Sequence, residues 1–145
     1  MKFLSALQPL GLLILRIALG MIFIYHGYPK LAHANGGMQQ FFQAHGLPGY
    51  LVAVSGVLES FGGALLIVGL FTRPVALLLA GEMVIAIWKV HSGHGIMSVK
   101  DYEFPLSLSA ACFALATIGG GMASLDHVLF GEGSKKRAPF KFNRN

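Results

Sequence analysis

Three ionisable side chains, Arg16, Glu59 and Glu82, fall deep inside long apolar runs. A charge at the centre of a bilayer costs about 2.5 to 3.5 kcal/mol on translocon scales, so such side chains turn inward, find partners and mark candidate sites. An arginine paired with one carboxylate makes a strut between helices. A second carboxylate that can gain and lose a proton adds the means for a proton-coupled reaction or transport step. With two carboxylates and one deep cation the cluster is net negative when fully ionised, so it must hold a proton or recruit a further cation. His26 and Lys89 are the candidates for that cation.

Helical spacing sets what lies beside each of the three. Arg16 shares a face with Gly20, Phe23, Gly27 and Lys30, and Glu82 shares one with Ala86 and Lys89. Glu59 shares its face with Ser55, Gly56, Gly62 and Gly63, small residues that let a neighbouring backbone approach closely, so Gly56, Gly62 and Gly63 are read as packing positions. Counted inward at about 1.5 Å per residue, the three charges lie at similar depths and are expected to meet.

Further polar groups gather toward one mouth of the bundle. His26, Lys30, Lys89 and His91 are read as a ligand entrance, with His33, His45 and His94 nearby. No compact Glu-x-x-His or His-x-x-x-His pattern completes a ligand set, so these histidines are read as solvated or hydrogen-bonded and no metal is expected. A bis-histidine haem needs two facing imidazoles, and His91 lies about half a turn round its helix from Glu82, so no haem is expected either. Tyr25, Tyr28, Tyr50 and Trp88 read as an interfacial aromatic belt, one that can also stack on a planar ligand such as a quinone headgroup entering from lipid.

The elements that position these groups follow from hydropathy. Of 145 residues, 54% are hydrophobic and only 12% charged, about half the charged fraction of a soluble domain. Four apolar runs, at about 10–28, 50–70, 74–90 and 104–118, approach the roughly 20 residues that cross a bilayer. The expected fold is all-α: a polytopic membrane protein made of one four-transmembrane-helix bundle over 10–128. A short cytoplasmic N-terminus, 1–9, and a basic cytoplasmic tail, 129–145, flank it. Arg16 inside the first run argues against a cleaved signal peptide. Met38 to Phe42 reads as a short amphipathic turn at the interface. Gly69 to Pro74 reads as a tight hairpin that makes the second and third helices antiparallel neighbours. The fourth helix presents a small-residue face, Ser107, Ala110, Ala111, Ala114 and Ile118, suited to packing or to a homo-oligomer.

Charge sets the orientation. With four crossings both termini share a side, which collects Lys2, Arg73, Lys135, Lys136, Arg137, Lys141 and Arg144, against Lys30, Lys89 and Lys100 on the other. That bias puts the termini in the cytoplasm and the two long loops outside. It also accounts for the formal charge of +5 without a nucleic-acid partner. The lone Cys112 excludes dithiol chemistry and a thiolate cage within one chain.

Taken together, Arg16 and Gly20, the run His26-Gly27-Tyr28-Pro29-Lys30, the pattern Gly56-x-x-Glu59-x-x-Gly62-Gly63, the hairpin Gly69 to Pro74, and Glu82-Met83 resemble the landmarks of the DoxX family of bacterial and archaeal membrane proteins. That family includes the membrane subunit of a thiosulfate:quinone oxidoreductase. The resemblance implies a four-helix inner-membrane protein tied to redox or respiratory complexes. The expectation carried forward is a membrane subunit with no self-contained catalytic motif, which binds a quinone or similar small ligand beside Arg16, Glu59 and Glu82 and works with a redox protein partner. Two rival expectations are a small proton-coupled transporter or channel, and an assembly scaffold that binds no ligand.

Overall fold

The computed structural model describes residues 6–33, 36–91 and 99–131, and all regular structure among them is helical. Four long helices, α1 (Gln8–Ala32), α3 (Leu51–Val68), α4 (Thr72–Ala86) and α5 (Val99–Ile118), pack side by side. Two short ones, α2 (Gly36–Ala44) and α6 (Leu125–Phe130), lie in the connections. The residues read as an amphipathic turn form α2, and a π-helical turn, Ile87–His91, prolongs α4. The basic tail beyond residue 131, and His94, lie outside the described residues.

Two helices, α1 and α3, are long and apolar enough to cross a membrane on their own. The 25 residues of α1 extend about 37 Å, more than the roughly 30 Å of a hydrocarbon core. By contrast α4 has 15 residues before the π turn, and α5 opens on Lys100, Asp101 and Glu103. Around the bundle, Leu10, Ile14, Phe61, Leu77, Leu78 and Phe113 are among many large apolar side chains left exposed. Water penalises such a surface and lipid does not.

Two close helix pairs build the core. α1 meets α3 through glycines: a Cβ on Gly20 would stand 2.5 Å from the Gly63 carbonyl oxygen, and one on Gly63 2.6 Å from that of Gly20. The backbones touch there, the close approach that small residues permit between membrane helices. α4 packs on α5 through Leu79, Ala80 and Met83 against Leu108, Cys112 and Leu115, and the buried Ser109 hydroxyl donates to the Ala80 carbonyl at 3.2 Å. α3 and α4 are joined by the hairpin but meet more sparsely, which leaves room between them.

At the hairpin end, Gly69 (φ 76°) and Phe71 (φ 51°) both adopt left-handed backbone. Gly69 does so without a Cβ penalty, whereas the Phe71 conformation costs roughly 1 to 3 kcal/mol and needs outside support. Asp126 supplies it, accepting from the Phe71 and Thr72 amides at 2.7 and 2.8 Å while its own amide donates to the Gly69 carbonyl at 2.9 Å. The carboxylate thus caps the positive end of α4 from a distant part of the chain.

Candidate functional site

At the other end of the bundle, α1 continues one turn past Pro29, where the sequence reads as the start of a loop. The continuation places Lys30 on the buried face of Phe23 and Gly27. Gly27 lies so close to α3 that a Cβ there would stand 2.7 Å from the Cβ of Glu59 and from the amide nitrogen of Ser60. That approach brings Lys30 Nζ to 2.8 Å from Glu59 Oε2. The Glu59 side chain is 3% exposed and that of Lys30 22%, so the ion pair is sealed at one end and reachable at the other.

Lys30 reaches a second acceptor. Its Nζ donates to Ser55 Oγ at 2.8 Å, and the Ser55 hydroxyl donates to Glu82 Oε1 at 2.5 Å. Three helices therefore contribute to one polar chain, Glu59, Lys30, Ser55 and Glu82, each bond assisted by a charge and set among apolar side chains that strengthen it. Glu82 Oε2 is buried without a hydrogen-bond partner among the described residues. Lys30 is the cation that joins the two carboxylates, in place of His26 or Lys89.

Arg16 stands apart from this chain. It lies 14 residues before Lys30 on α1, about 21 Å away along the axis. Fully buried, its guanidinium donates to the Ala123 carbonyl and packs on Gly69, where any side chain would collide with it, and Asp126 supplies opposite charge. The three deep charges thus divide between two ends of the bundle: Arg16 secures the hairpin end, and the two glutamates share a lysine at the other.

Two cavities flank the polar chain. The larger, about 430 Å³, lies between α3 and α4 beneath Phe41 and Phe42 of α2. Leu51, Val54, Leu58, Leu77, Leu78 and Ile85 are among its apolar walls, and its polar end is Lys30, Ser55 and Glu82, with His45 near α2. The smaller, about 330 Å³, lies between α1, α4 and α5 against Glu59 of α3, and Phe23, His26, Asp101 and Phe104 are among its other lining residues. Lys30 borders both.

The remaining positions scatter. His26 is exposed at the smaller cavity, its ring centroid 5.5 Å from that of Phe104. Lys89 is exposed, its ammonium 5.3 Å from the Trp88 ring centroid, and lines neither cavity. The backbone of His91 ends the π turn. Gly56 and Gly63 receive α1, whereas Gly62 faces Val75 and Leu79 of α4. Ser55, read from sequence only as a small packing residue, is the link between the carboxylates. Its position four residues before Glu59 was the available signal.

Comparison with known proteins adds the family context. The DoxX family model matches residues 11–92. The chain is 31% identical over 128 residues to "Inner membrane protein YqjF" of Escherichia coli (strain K12), covering 85% of this chain and 95% of that one. It is 34% identical over 121 residues to "Putative oxidoreductase CatD" of Bacillus subtilis (strain 168), covering 83% and 88%. Identity to "Inner membrane protein YphA" of Escherichia coli (strain K12) is 33% over 130 residues, covering 84% and 92%. No solved structure matches the chain.

Proposed function

The chain belongs to the DoxX family of membrane proteins, and from that premise we propose that it is an inner-membrane subunit of a redox or respiratory assembly that binds a quinone or similar small ligand between α3 and α4. The observation that carries this reading is the apolar cavity of about 430 Å³ that ends on Lys30, Ser55 and Glu82. Ligand sites are typically concave, mostly apolar and of about 300 to 1,000 Å³, with a few convergent polar groups.

The polar end suits such a ligand. An ammonium has three N–H bonds, and Lys30 donates one to Ser55 while its charge is paired with Glu59, so donor capacity remains for a carbonyl. Glu82 Oε2 is free among the described residues to accept from a hydroxyl. A bound quinone would supply two-electron chemistry at that end. The chain's own residues hold the headgroup, seat an isoprenoid-like tail along Leu77, Leu78 and Val54, keep water out and handle the proton. Electron delivery is assigned to a partner protein, in keeping with the oxidoreductase name of the Bacillus subtilis relative.

The same reading takes α4 with its π turn, and α5, as the third and fourth crossings, with cytoplasmic termini and both long connections outside. The polar chain then lies in the outer half of the membrane. To test the ligand, the protein is purified in mild detergent from native membranes, and co-purifying small molecules and proteins are identified by mass spectrometry for wild type and Glu82→Gln. A quinone present in wild type and depleted at least tenfold in the variant supports the site. A chain that purifies empty in both forms refutes it. A proton-coupled transporter is the second reading, favoured by the two cavities meeting at Lys30, and proton or solute flux into liposomes without any quinone would select it.

A further inference from the structure

The smaller cavity has no part in holding the ligand, yet it carries the exposed His26 and Asp101 at its rim and Glu59 in its wall. Lys30 and Ser55 link that wall to the carboxylate facing the larger cavity. We infer that the smaller cavity is a proton vestibule and that Glu59, Lys30, Ser55 and Glu82 form a relay carrying a proton between it and the ligand cavity. The inference deepens the ligand-site reading and rests on it only for what the delivered proton is used for.

The direction of donation supports a route. Lys30 donates to Ser55 and Ser55 donates to Glu82, so both hydrogens already point toward the ligand cavity. When Glu59 has taken a proton from the vestibule, Ser55 passes its hydroxyl proton to Glu82 Oε1, Lys30 replaces it, and Glu59 returns its proton to Lys30. One proton has then moved from Glu59 to Glu82, and Lys30 and Ser55 are as they began. Charge supports it as well: two buried carboxylates share one ammonium, and a single proton makes the set neutral. The titratable groups facing the set are His26 from α1, Asp101 from α5 and His45 after α2. Lys89, in the π turn, sits over Trp88 and lines neither cavity.

Carbodiimides react with protonated carboxyls and test the inference without any bound quinone. The full chain in lipid nanodiscs is treated with lipophilic dicyclohexylcarbodiimide or with a water-soluble carbodiimide, and the adduct is located by tandem mass spectrometry. The expected result is that the lipophilic reagent labels Glu82, the soluble one labels Glu59, and no chain carries both labels. In Glu59→Gln the labelling of Glu82 should fall at least fivefold, because the remaining carboxylate and ammonium are neutral without a proton. The reciprocal loss is expected at Glu59 in Glu82→Gln. Two labels on one chain, no access of the soluble reagent to Glu59, or unchanged labelling in the variants would each overturn the relay. The wild-type pattern decides the matter even if a variant fails to fold. Decyl-ubiquinone is added in parallel: failure to protect Glu82 with the labelling coupled refutes the quinone reading alone, and protection with uncoupled labelling refutes the relay alone.

Discussion

Gly81 lines the larger cavity from α4, and a Cβ built there meets no atom within 4 Å. Gly81→Leu therefore adds four carbons at the cavity without displacing backbone. Two effects of opposite consequence follow. The helix gains about 0.5 to 1 kcal/mol from losing an interior glycine, which raises the melting temperature by roughly 1 to 4 °C. The ligand loses the space those carbons occupy. At about 0.8 kcal/mol per methylene, four displaced groups cost about 3 kcal/mol, roughly a 200-fold loss of affinity. The assay is a thermal melt together with decyl-ubiquinone affinity and native quinone content per chain. A variant that is as stable as wild type or more so, yet emptied of ligand, is the expected outcome. Wild-type affinity in a folded Gly81→Leu protein would refute the placement of the ligand between α3 and α4.

The other predictions address the supports of the site. Lys30→Met leaves Glu59 buried without its cation and should cost about 3 kcal/mol, near the lower end for a broken buried pair because Lys30 is partly exposed. Lys30→Met with Glu59→Gln should regain most of that loss in the same detergent melts, and equal melting of single and double variants would deny the ion pair. Gly63→Ala should destabilise by roughly 1 to 3 kcal/mol because its Cβ meets the Gly20 carbonyl oxygen, whereas Gly11→Ala, in open space, should stabilise slightly. A gain at both positions would argue against backbone contact between α1 and α3. Asp126→Asn weakens two charge-assisted bonds to the start of α4 and should cost roughly 1.5 kcal/mol with faster proteolysis near residues 69–73, while ligand content stays unchanged.

Hydropathy made the helical class legible because a bilayer demands long apolar helices, and that demand is written in composition. The lateral arrangement was less accessible. Depth counting put Arg16, Glu59 and Glu82 at similar heights, but it does not say which neighbour each side chain meets. The partner of Arg16 is a backbone carbonyl, that of Ala123, which no pattern of residue types reveals. Lys30 was placed at an entrance because Pro29 reads as a helix end. Proline removes one hydrogen bond, and near a helix terminus that loss does not stop the last turn. α5 begins at Val99, ahead of the expected Phe104, because Pro105 is likewise accommodated inside the helix. The small residues around Glu59 were readable as a packing face, yet only the structure divides them between α1 and α4.

The two buried cations differ in kind, and the difference matches their surroundings. Arginine stays protonated in proteins and offers a rigid fork of donors, which suits a strut and would interrupt a proton path. Arg16 occupies the end where Gly69, Ala123 and Asp126 converge and where neither cavity beside the glutamates reaches. Lysine can give up a proton and take it back, and its four-carbon stem lets one nitrogen address several acceptors. Lys30 is the residue that borders both of those cavities and touches both Glu59 and Ser55. A scaffold needs only the first arrangement, since a buried pair that merely fixes helix order has no use for a second carboxylate reached through a hydroxyl. The separation by the length of α1 also means that the proposed function expects substitutions at the Arg16 end to leave ligand content unchanged, and those at the Lys30 end to alter ligand and proton handling beyond any change in stability.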